Sequence, residues 1–175
     1  TAGGLLELIP YASPATIAMA YPRAAVSSVA EGFGFIVPRA EGRDLIAATW
    51  TSLKWPHRAP PDQLLMRCYV GGVGREAILQ LDDQALVARG KAELASMCGV
   101  TAEPGFVEVN RWMNAMPQYT LGHLERLNQI EGALSRYGGL ILTGAGYRGV
   151  GIPDCIRDGA LAAERVVRYL SGERL

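Results

Sequence analysis

The chain has 175 residues, of which 49% are hydrophobic, and its 17 basic residues equal its 17 acidic residues in number. This length suits one ordinary domain or parts of two, and the apolar content gives no reason to expect disorder. The balanced charge excludes a general electrostatic attraction to nucleic acid, and no stretch reaches the roughly 20 apolar residues of a membrane span. Three distant cysteines, without histidines at metal-ligand spacing, disfavour a disulfide framework and a zinc site.

The first half of the chain is predicted to be mostly β-structure. It opens with an amphipathic segment typical of a helix end, after which four apolar runs predict strands at residues 15–21, 34–37, 45–50 and 64–70. The first run lies between two prolines, and we expect a strand that is buried on both faces. A charged turn joins the second and third runs, which therefore predict a hairpin.

The second half alternates predicted helices with short strands. Residues 81–100 have helical spacing, with Asp82 and Asp83 at the start and Gly99 as a C-cap, and residues 106–109 alternate like an edge strand. A second helix is predicted over 120–137. Its apolar face comprises Leu124, Leu127, Ile130 and Leu134. A strand at 139–143, a glycine loop and a last helix over 152–171 complete the chain.

Gly144, Gly146 and Gly149 have the G-x-G-x-x-G spacing of a dinucleotide-binding loop. The complete fingerprint needs a second strand and an acidic residue about 20 positions later. Only 26 residues follow Gly149, and one helix uses nearly all of them, so the complete fingerprint is excluded. Two interpretations stay open: a loop that brings a planar or anionic ligand to a helix N-terminus, and a plain tight turn.

Four longer segments carry a resemblance. They are GFGFIVPRAEGRD at 32–44, WTSLKWPHRAP at 50–60, RWMNAMPQYTLGHLERL at 111–127 and LTGAGYRGVGIPDCIRDGALAAE at 142–164. In this order and at these intervals they resemble the C-terminal part of the protoporphyrinogen oxidase family, FAD-dependent relatives of the monoamine oxidases that convert a porphyrinogen to a porphyrin. The resemblance covers essentially the whole chain.

The resemblance implies an α/β fold of mixed α+β character, the C-terminal part of a two-domain FAD-dependent oxidase. It implies a mixed sheet from the substrate domain, plus the last strand and helix of the FAD domain. Residues 1–30 would end the FAD domain or connect from it, 31–110 would belong to the substrate domain, and 111–175 would return to the FAD domain. The family's N-terminal Rossmann unit has no match here, so we interpret the chain as a C-terminal fragment that alone is inactive and holds FAD poorly.

The resemblance also implies cofactor contacts. The segment that matches Val150, Gly151 and Ile152 lies against the flavin in the family, and Trp112 matches a position where an aromatic side chain packs near the ring. For Trp112, a core or interface tryptophan is an equal alternative. For Asp154, capping of the last helix is favoured over a flavin contact.

On the substrate side, the resemblance places Ile36, Thr49 and Tyr69 along the wall of a tetrapyrrole pocket. Thr49 departs from the leucine of a plant relative, and ordinary sheet core is the alternative for all three. Arg39 and Arg67 are local candidates for binding a substrate carboxylate, and an exposed turn for Arg39 and a solvated strand face for Arg67 are equal alternatives. No catalytic acid or base is identified in this segment, and a structural, hydrogen-bonded role is favoured for His123.

The implied activity is oxidation of protoporphyrinogen IX or coproporphyrinogen III with FAD and molecular oxygen, in heme biosynthesis. A cytoplasmic location is expected, while peripheral attachment to the inner face of the cell membrane and a homodimer are left open. Two alternatives remain at this point. One is a flavin amine oxidase with another substrate, and the other is a folded fragment without activity or an interaction module.

Overall fold

The computed structural model describes residues 1–26 and 32–172, which form two compact units. The first, here called the sheet unit, comprises Ala12–Ala115, and the second, the helical unit, comprises Thr1–Tyr11 with Met116–Leu175. The expected boundary between segments 1–30 and 31–110 falls outside the described residues, and the boundary at 110/111 stays a prediction.

The sheet unit contains five strands in the order β3-β4-β5-β2-β6. The strands are β2 (Pro14–Pro22), β3 (Gly34–Ile36), β4 (Leu45–Trp50), β5 (Gln63–Gly71) and β6 (Phe106–Arg111). All five strands predicted for this unit are therefore confirmed, including the β3–β4 hairpin and the edge position of β6. A mixed sheet was expected, but all four strand pairs of this sheet within the described residues are antiparallel.

The core of the sheet unit lies on one face of this sheet. Alternate residues of β2 are buried while the residues between them are half-buried, so the expectation of burial on both faces is wrong. The physical reason is that helix α3 (Asp83–Cys98) packs against only one face, where a Cβ added to Gly90 would lie 3.2 Å from Ile17 Cδ1. Trp50 is buried in the same core, edge-on to Phe35 with ring centroids 5.7 Å apart.

Local signals in the sequence correctly predicted both ends of α3. The Asp82 carboxylate accepts a hydrogen bond of 2.7 Å from the Ala85 N–H, and Gly99 ends the helix in the left-handed conformation at φ +68°. A shorter helix, α2 (Thr51–Lys54), follows β4 directly.

The helical unit is built from α1 (Ala2–Glu7), α4 (His123–Leu134) and α5 (Ile152–Leu170). Two-residue strands β1 (Tyr11–Ala12) and β7 (Met116–Pro117) form a separate small sheet. The helix predicted over 120–137 is shorter than expected at both ends. Leu124 is 69% exposed and does not belong to the cluster formed by Leu127 and Ile130, so its predicted place on the buried face is wrong.

The strand predicted at 139–143 is not formed, and these residues have no regular secondary structure. A strand needs a neighbour to receive its backbone hydrogen bonds, and no described strand pairs with this segment. The last helix is confirmed, with Pro153 in its first turn as expected. None of the described helices is long and apolar enough to cross a bilayer.

Candidate functional site

The glycine loop, here residues 143–151, connects the irregular segment to α5 in the helical unit. Gly149 has φ +149°, and an added Cβ would lie 2.5 Å from Asp154 Cβ. Gly144 has φ +119° but open space around it. Gly149 is therefore required both by its backbone conformation and by its approach to the first turn of α5.

Side chains of α5 hold both ends of the glycine loop. The Asp158 carboxylate accepts hydrogen bonds from Thr143 Oγ1 at 2.7 Å and from the Gly144 N–H at 3.2 Å, and its other oxygen lies 3.5 Å from Arg148. Burial acts to raise the pKa of Asp158. The two hydrogen bonds and Arg148 outweigh it, so the pKa of this carboxyl lies below its usual value. At the other end, the Cys155 thiol donates to the Gly149 carbonyl at 3.4 Å.

The middle of the loop is held from the segment before α4. The Tyr119 hydroxyl lies 2.7 Å from the Ala145 carbonyl oxygen and 2.8 Å from the Gly149 nitrogen. His123 is buried, and its Nε2 lies 2.8 Å from the Tyr147 carbonyl oxygen. The structural, hydrogen-bonded role predicted for His123 is thus confirmed. The role of Tyr119 was missed, because Tyr119 precedes α4 and its spacing from His123 therefore carries no helical signal.

Val150, Gly151 and Ile152 follow this held loop and form the start of α5. Val150 is 57% and Ile152 77% exposed, so two apolar side chains flank the glycine at the surface. Among the described residues no side chain caps the helix at Gly151. Asp154 lies in the first turn of α5 but pairs with Arg157 at 2.5 Å, so the capping hydrogen bond predicted for Asp154 is not formed. Uncapped N–H groups beside exposed apolar side chains fit a planar group with an electron-rich edge, as a flavin ring has.

The three residues expected along the substrate wall share one face of the sheet, opposite the core. Ile36 is paired with Ala47, Ala47 with Tyr69 and Tyr69 with Thr16, which gives one row across four strands. Thr49 lies in the next row, paired with Arg67. Ile36 is 83% exposed and the other two are half-buried, so none of the three belongs to the apolar core of the described sheet unit.

The structure separates the two arginine candidates. Arg39 donates a 2.8 Å hydrogen bond to the Val73 carbonyl and thereby ties two exposed turns together. Arg67 is exposed on the central strand β5, on the same face as Thr49 and Tyr69, and forms no ion pair with any carboxylate in the described part of the chain. Arg67 is thus free to bind an anionic group at this sheet face.

Trp112 belongs to the sheet unit and follows β6. Its backbone N–H donates to the Pro14 carbonyl at 2.9 Å, and its side chain is 53% exposed, so it is not part of the core of the sheet unit. An interface tryptophan stays the alternative to a flavin contact. The turn that carries it is held by Ser13, whose hydroxyl accepts a 2.8 Å hydrogen bond from the Asn114 N–H. Asn114 has φ +48°, a conformation uncommon for residues other than glycine.

Comparison with known proteins identifies the class to which this fold and loop belong. Residues 4–167 match the family of flavin containing amine oxidoreductases, and the chain belongs to that family. A flavin is the cofactor that the family name states.

Similarity to individual proteins points to one branch of this family. The chain is 40% identical over 159 residues to coproporphyrinogen III oxidase of Bacillus subtilis (strain 168), covering 90% of the chain and 34% of that protein. It is 28% identical over 180 residues to the chloroplastic protoporphyrinogen oxidase of Oryza sativa subsp. japonica, covering 97% and 34%. A solved structure named "Putative protoporphyrinogen oxidase" from Exiguobacterium sp. 255-15 superimposes with a TM-score of 0.81 at 32% identity, covering 93% and 36%. The chain therefore spans about a third of the length of these relatives.

Proposed function

We propose that the chain is the C-terminal third of a porphyrinogen oxidase, which oxidises coproporphyrinogen III or protoporphyrinogen IX to the porphyrin with FAD and molecular oxygen in heme biosynthesis. The observation that carries the proposal is the 40% identity to a coproporphyrinogen III oxidase over 90% of the chain. Residues 1–30 would then connect from the FAD domain, 31–110 contribute to the substrate domain and 111–175 return to the FAD domain.

Val150, Gly151 and Ile152 are the proposed flavin contacts in the helical unit. When bound, the flavin supplies the acceptor for the hydrogen removed from the substrate. The chain would contribute backbone N–H groups and the positive end of the α5 dipole, which favour an electron-rich edge. The exposed side chains of Val150 and Ile152 support this role, because apolar groups at a surface gain from covering by a ring. In the sheet unit, exposed Trp112 is the proposed aromatic neighbour of the ring.

Ile36, Thr49 and Tyr69 are the proposed substrate wall, on the open face of the sheet. Adjacent strands lie about 4.8 Å apart, so the row from Ile36 to Tyr69 extends about 10 Å across the face, enough for one side of a flat macrocycle. Arg67 is proposed to bind a carboxylate of the substrate, because it stands free beside Thr49 whereas Arg39 is engaged by Val73.

The full-length protein tests this proposal. Purified from its host, it should contain about one FAD per chain and should consume oxygen with either coproporphyrinogen III or protoporphyrinogen IX, and the ratio of the two kcat/KM values identifies the preferred substrate. Oxidation of a simple amine in place of both porphyrinogens would support an amine oxidase instead. The isolated 175-residue chain is expected to bind little or no FAD, and one bound FAD per chain would contradict the fragment interpretation.

A further inference from the structure

Tyr119 spans the glycine loop with a single hydroxyl group. Its O–H donates to the Ala145 carbonyl at 2.7 Å, and its oxygen accepts the Gly149 N–H at 2.8 Å. A phenol has one hydrogen to donate and lone pairs to accept, so both bonds form at once. Two loop residues four positions apart are thus held by one atom, and phenylalanine at this position would lose both bonds.

His123 supports Tyr119 and adds a third bond to the same loop. The two rings stack with centroids 4.1 Å apart and planes 13° apart. A carbonyl oxygen only accepts, so Nε2 of His123 carries the hydrogen that it donates to Tyr147 at 2.8 Å. Nδ1 of His123 is buried and has no hydrogen-bond partner among the described residues. Tyr119 and His123 therefore bind three alternate residues in the middle of the loop, Ala145, Tyr147 and Gly149.

We propose that Tyr119 and His123 are positioning residues for flavin binding. They fix the conformation of the glycine loop, and the loop in turn sets where Val150 and Gly151 meet the ring. This inference rests on the proposed function, since it assigns to the pair a role in binding the flavin of that oxidase. A loop that is already ordered loses less conformational entropy when the flavin binds. Tyr119 and His123 therefore raise the affinity for the flavin without contacting it.

The Tyr119→Phe variant of the full-length protein tests the proposal directly, with Tyr137→Phe as its matched control. Tyr137 is 52% exposed, lies in the same unit, and its hydroxyl makes no hydrogen bond to a described residue. Loss of one hydrogen bond of about 1 kcal/mol corresponds to about a fivefold change in an equilibrium constant. Titration of the apoprotein with FAD should therefore give a Kd at least about fivefold higher for Tyr119→Phe and unchanged for Tyr137→Phe.

Amide hydrogen exchange provides a readout that needs no flavin. In the apoprotein, exchange of the Gly149 N–H should be at least about fivefold faster in Tyr119→Phe than in the wild type, because that N–H loses its acceptor. Exchange in α3 of the sheet unit should be unchanged and serves as an internal reference.

Substitutions of His123 separate the hydrogen bond from simple packing. In His123→Gln the side-chain amide can donate at a reach similar to that of Nε2, whereas His123→Leu fills space without a donor. We expect His123→Gln to retain the wild-type FAD affinity within about twofold and His123→Leu to bind FAD at least about fivefold more weakly. Equal affinities for the two variants would overturn the role assigned to the His123 hydrogen bond.

The outcomes distinguish this inference from the proposed function. If the wild type takes up no FAD, the proposed function fails and the positioning role fails with it. Faster Gly149 exchange in Tyr119→Phe would then show only that Tyr119 fixes the conformation of the loop. If the wild type binds FAD and Tyr119→Phe binds it equally well, the positioning role is overturned and the proposed function stands.

Discussion

The sheet unit and the helical unit are stabilised in different ways. The sheet unit buries a large continuous cluster of apolar side chains between one face of the sheet and α3, in which Trp50, Met66 and Leu86 are among the largest buried members. In the helical unit the described buried cluster consists of Ile9, Leu127 and Ile130. Burial of apolar surface is the dominant stabilising contribution in folding, so the sheet unit gains more stability from this source than the helical unit does.

Helix α5 shows the difference most clearly. None of its described residues is buried, and five of its apolar side chains are more than half exposed. They are Ile152, Ile156, Leu161, Val167 and Leu170. The loop in front of α5 is instead fixed by hydrogen bonds that Tyr119 and His123 donate and that Asp158 accepts. Apolar packing therefore stabilises the sheet unit, whereas hydrogen bonds fix the conformation of the candidate flavin loop.

The largest expected effect comes from truncating the core of the sheet unit. Leu86 in α3 is fully buried, and Leu86→Ala should lower the free energy of unfolding by about 3 kcal/mol through lost burial and a cavity. Leu124→Ala in α4, where the side chain is 69% exposed, should change it by less than about 0.5 kcal/mol. Urea unfolding of the full-length protein measures both, and similar losses for the two variants would contradict the comparison of the units.

Gly149→Ala should have the next largest effect, because it acts where the loop meets α5. The added Cβ would lie 2.5 Å from Asp154 Cβ at a backbone φ of +149°, and we expect a loss of about 2 kcal/mol in stability together with most of the bound FAD. The control is Gly159→Ala within α5, where an added Cβ meets nothing within 4 Å and alanine is the better helix former. Flavin absorbance and thermal unfolding report both, and retention of full FAD content by Gly149→Ala would contradict the assignment of this loop.

Much of the sheet unit could be predicted from the sequence, because its signals are local. The prolines around β2, the turn between β3 and β4, and the caps Asp82 and Gly99 each act within a few residues. Which face of β2 is covered is not local, since it depends on where α3 packs. The strand expected at 139–143 failed for the same reason, because strand formation requires a partner that the apolar run itself does not reveal.

The candidate site could be predicted only in part. The family resemblance supplied Ile36, Thr49 and Tyr69, and the cross-strand register explains why they share a face, since paired residues point to the same side of a sheet. Neither spacing nor composition indicated that Tyr119 would reach Gly149, 30 residues away. Every residue except proline has a backbone N–H, so the residue type at position 149 does not indicate that this group binds a tyrosine hydroxyl.

Arg67→Gln tests the open face of the sheet, where we expect function rather than stability to change. Loss of a charged hydrogen bond to a substrate carboxylate should raise the KM for the porphyrinogen about tenfold, with kcat within twofold of the wild type. Arg39→Gln, which removes a hydrogen bond to Val73 in an exposed turn, should leave the KM unchanged. Steady-state oxygen consumption measures both constants, and an equal rise in KM for the two variants would exclude a specific role for Arg67.

Asp158→Asn should change stability the least of these variants. The pH dependence of this change shows whether it comes from the carboxylate charge. The pKa of Asp158 is lowered in the folded state, so its contribution is fully present above the pKa of an unfolded aspartate, about 3.9, and is lost as the pH falls through the folded value. We expect the variant to be about 1 kcal/mol less stable at pH 6, because Arg148 is 38% exposed and solvent weakens the pair. As the pH falls below the folded-state pKa of Asp158, the wild type should lose its advantage, since its own carboxyl becomes protonated.

The control for this experiment is Asp154→Asn, four residues earlier on α5. Asp154 pairs with Arg157 in an exposed position, so its replacement should change stability by less than about 0.5 kcal/mol. Urea unfolding at a series of pH values between 6 and 3 gives the difference between wild type and each variant. A difference for Asp158→Asn that does not vary with pH would mean that the carboxylate charge does not hold Thr143 and Gly144. The start of the loop would then be fixed by packing, as the sheet unit is.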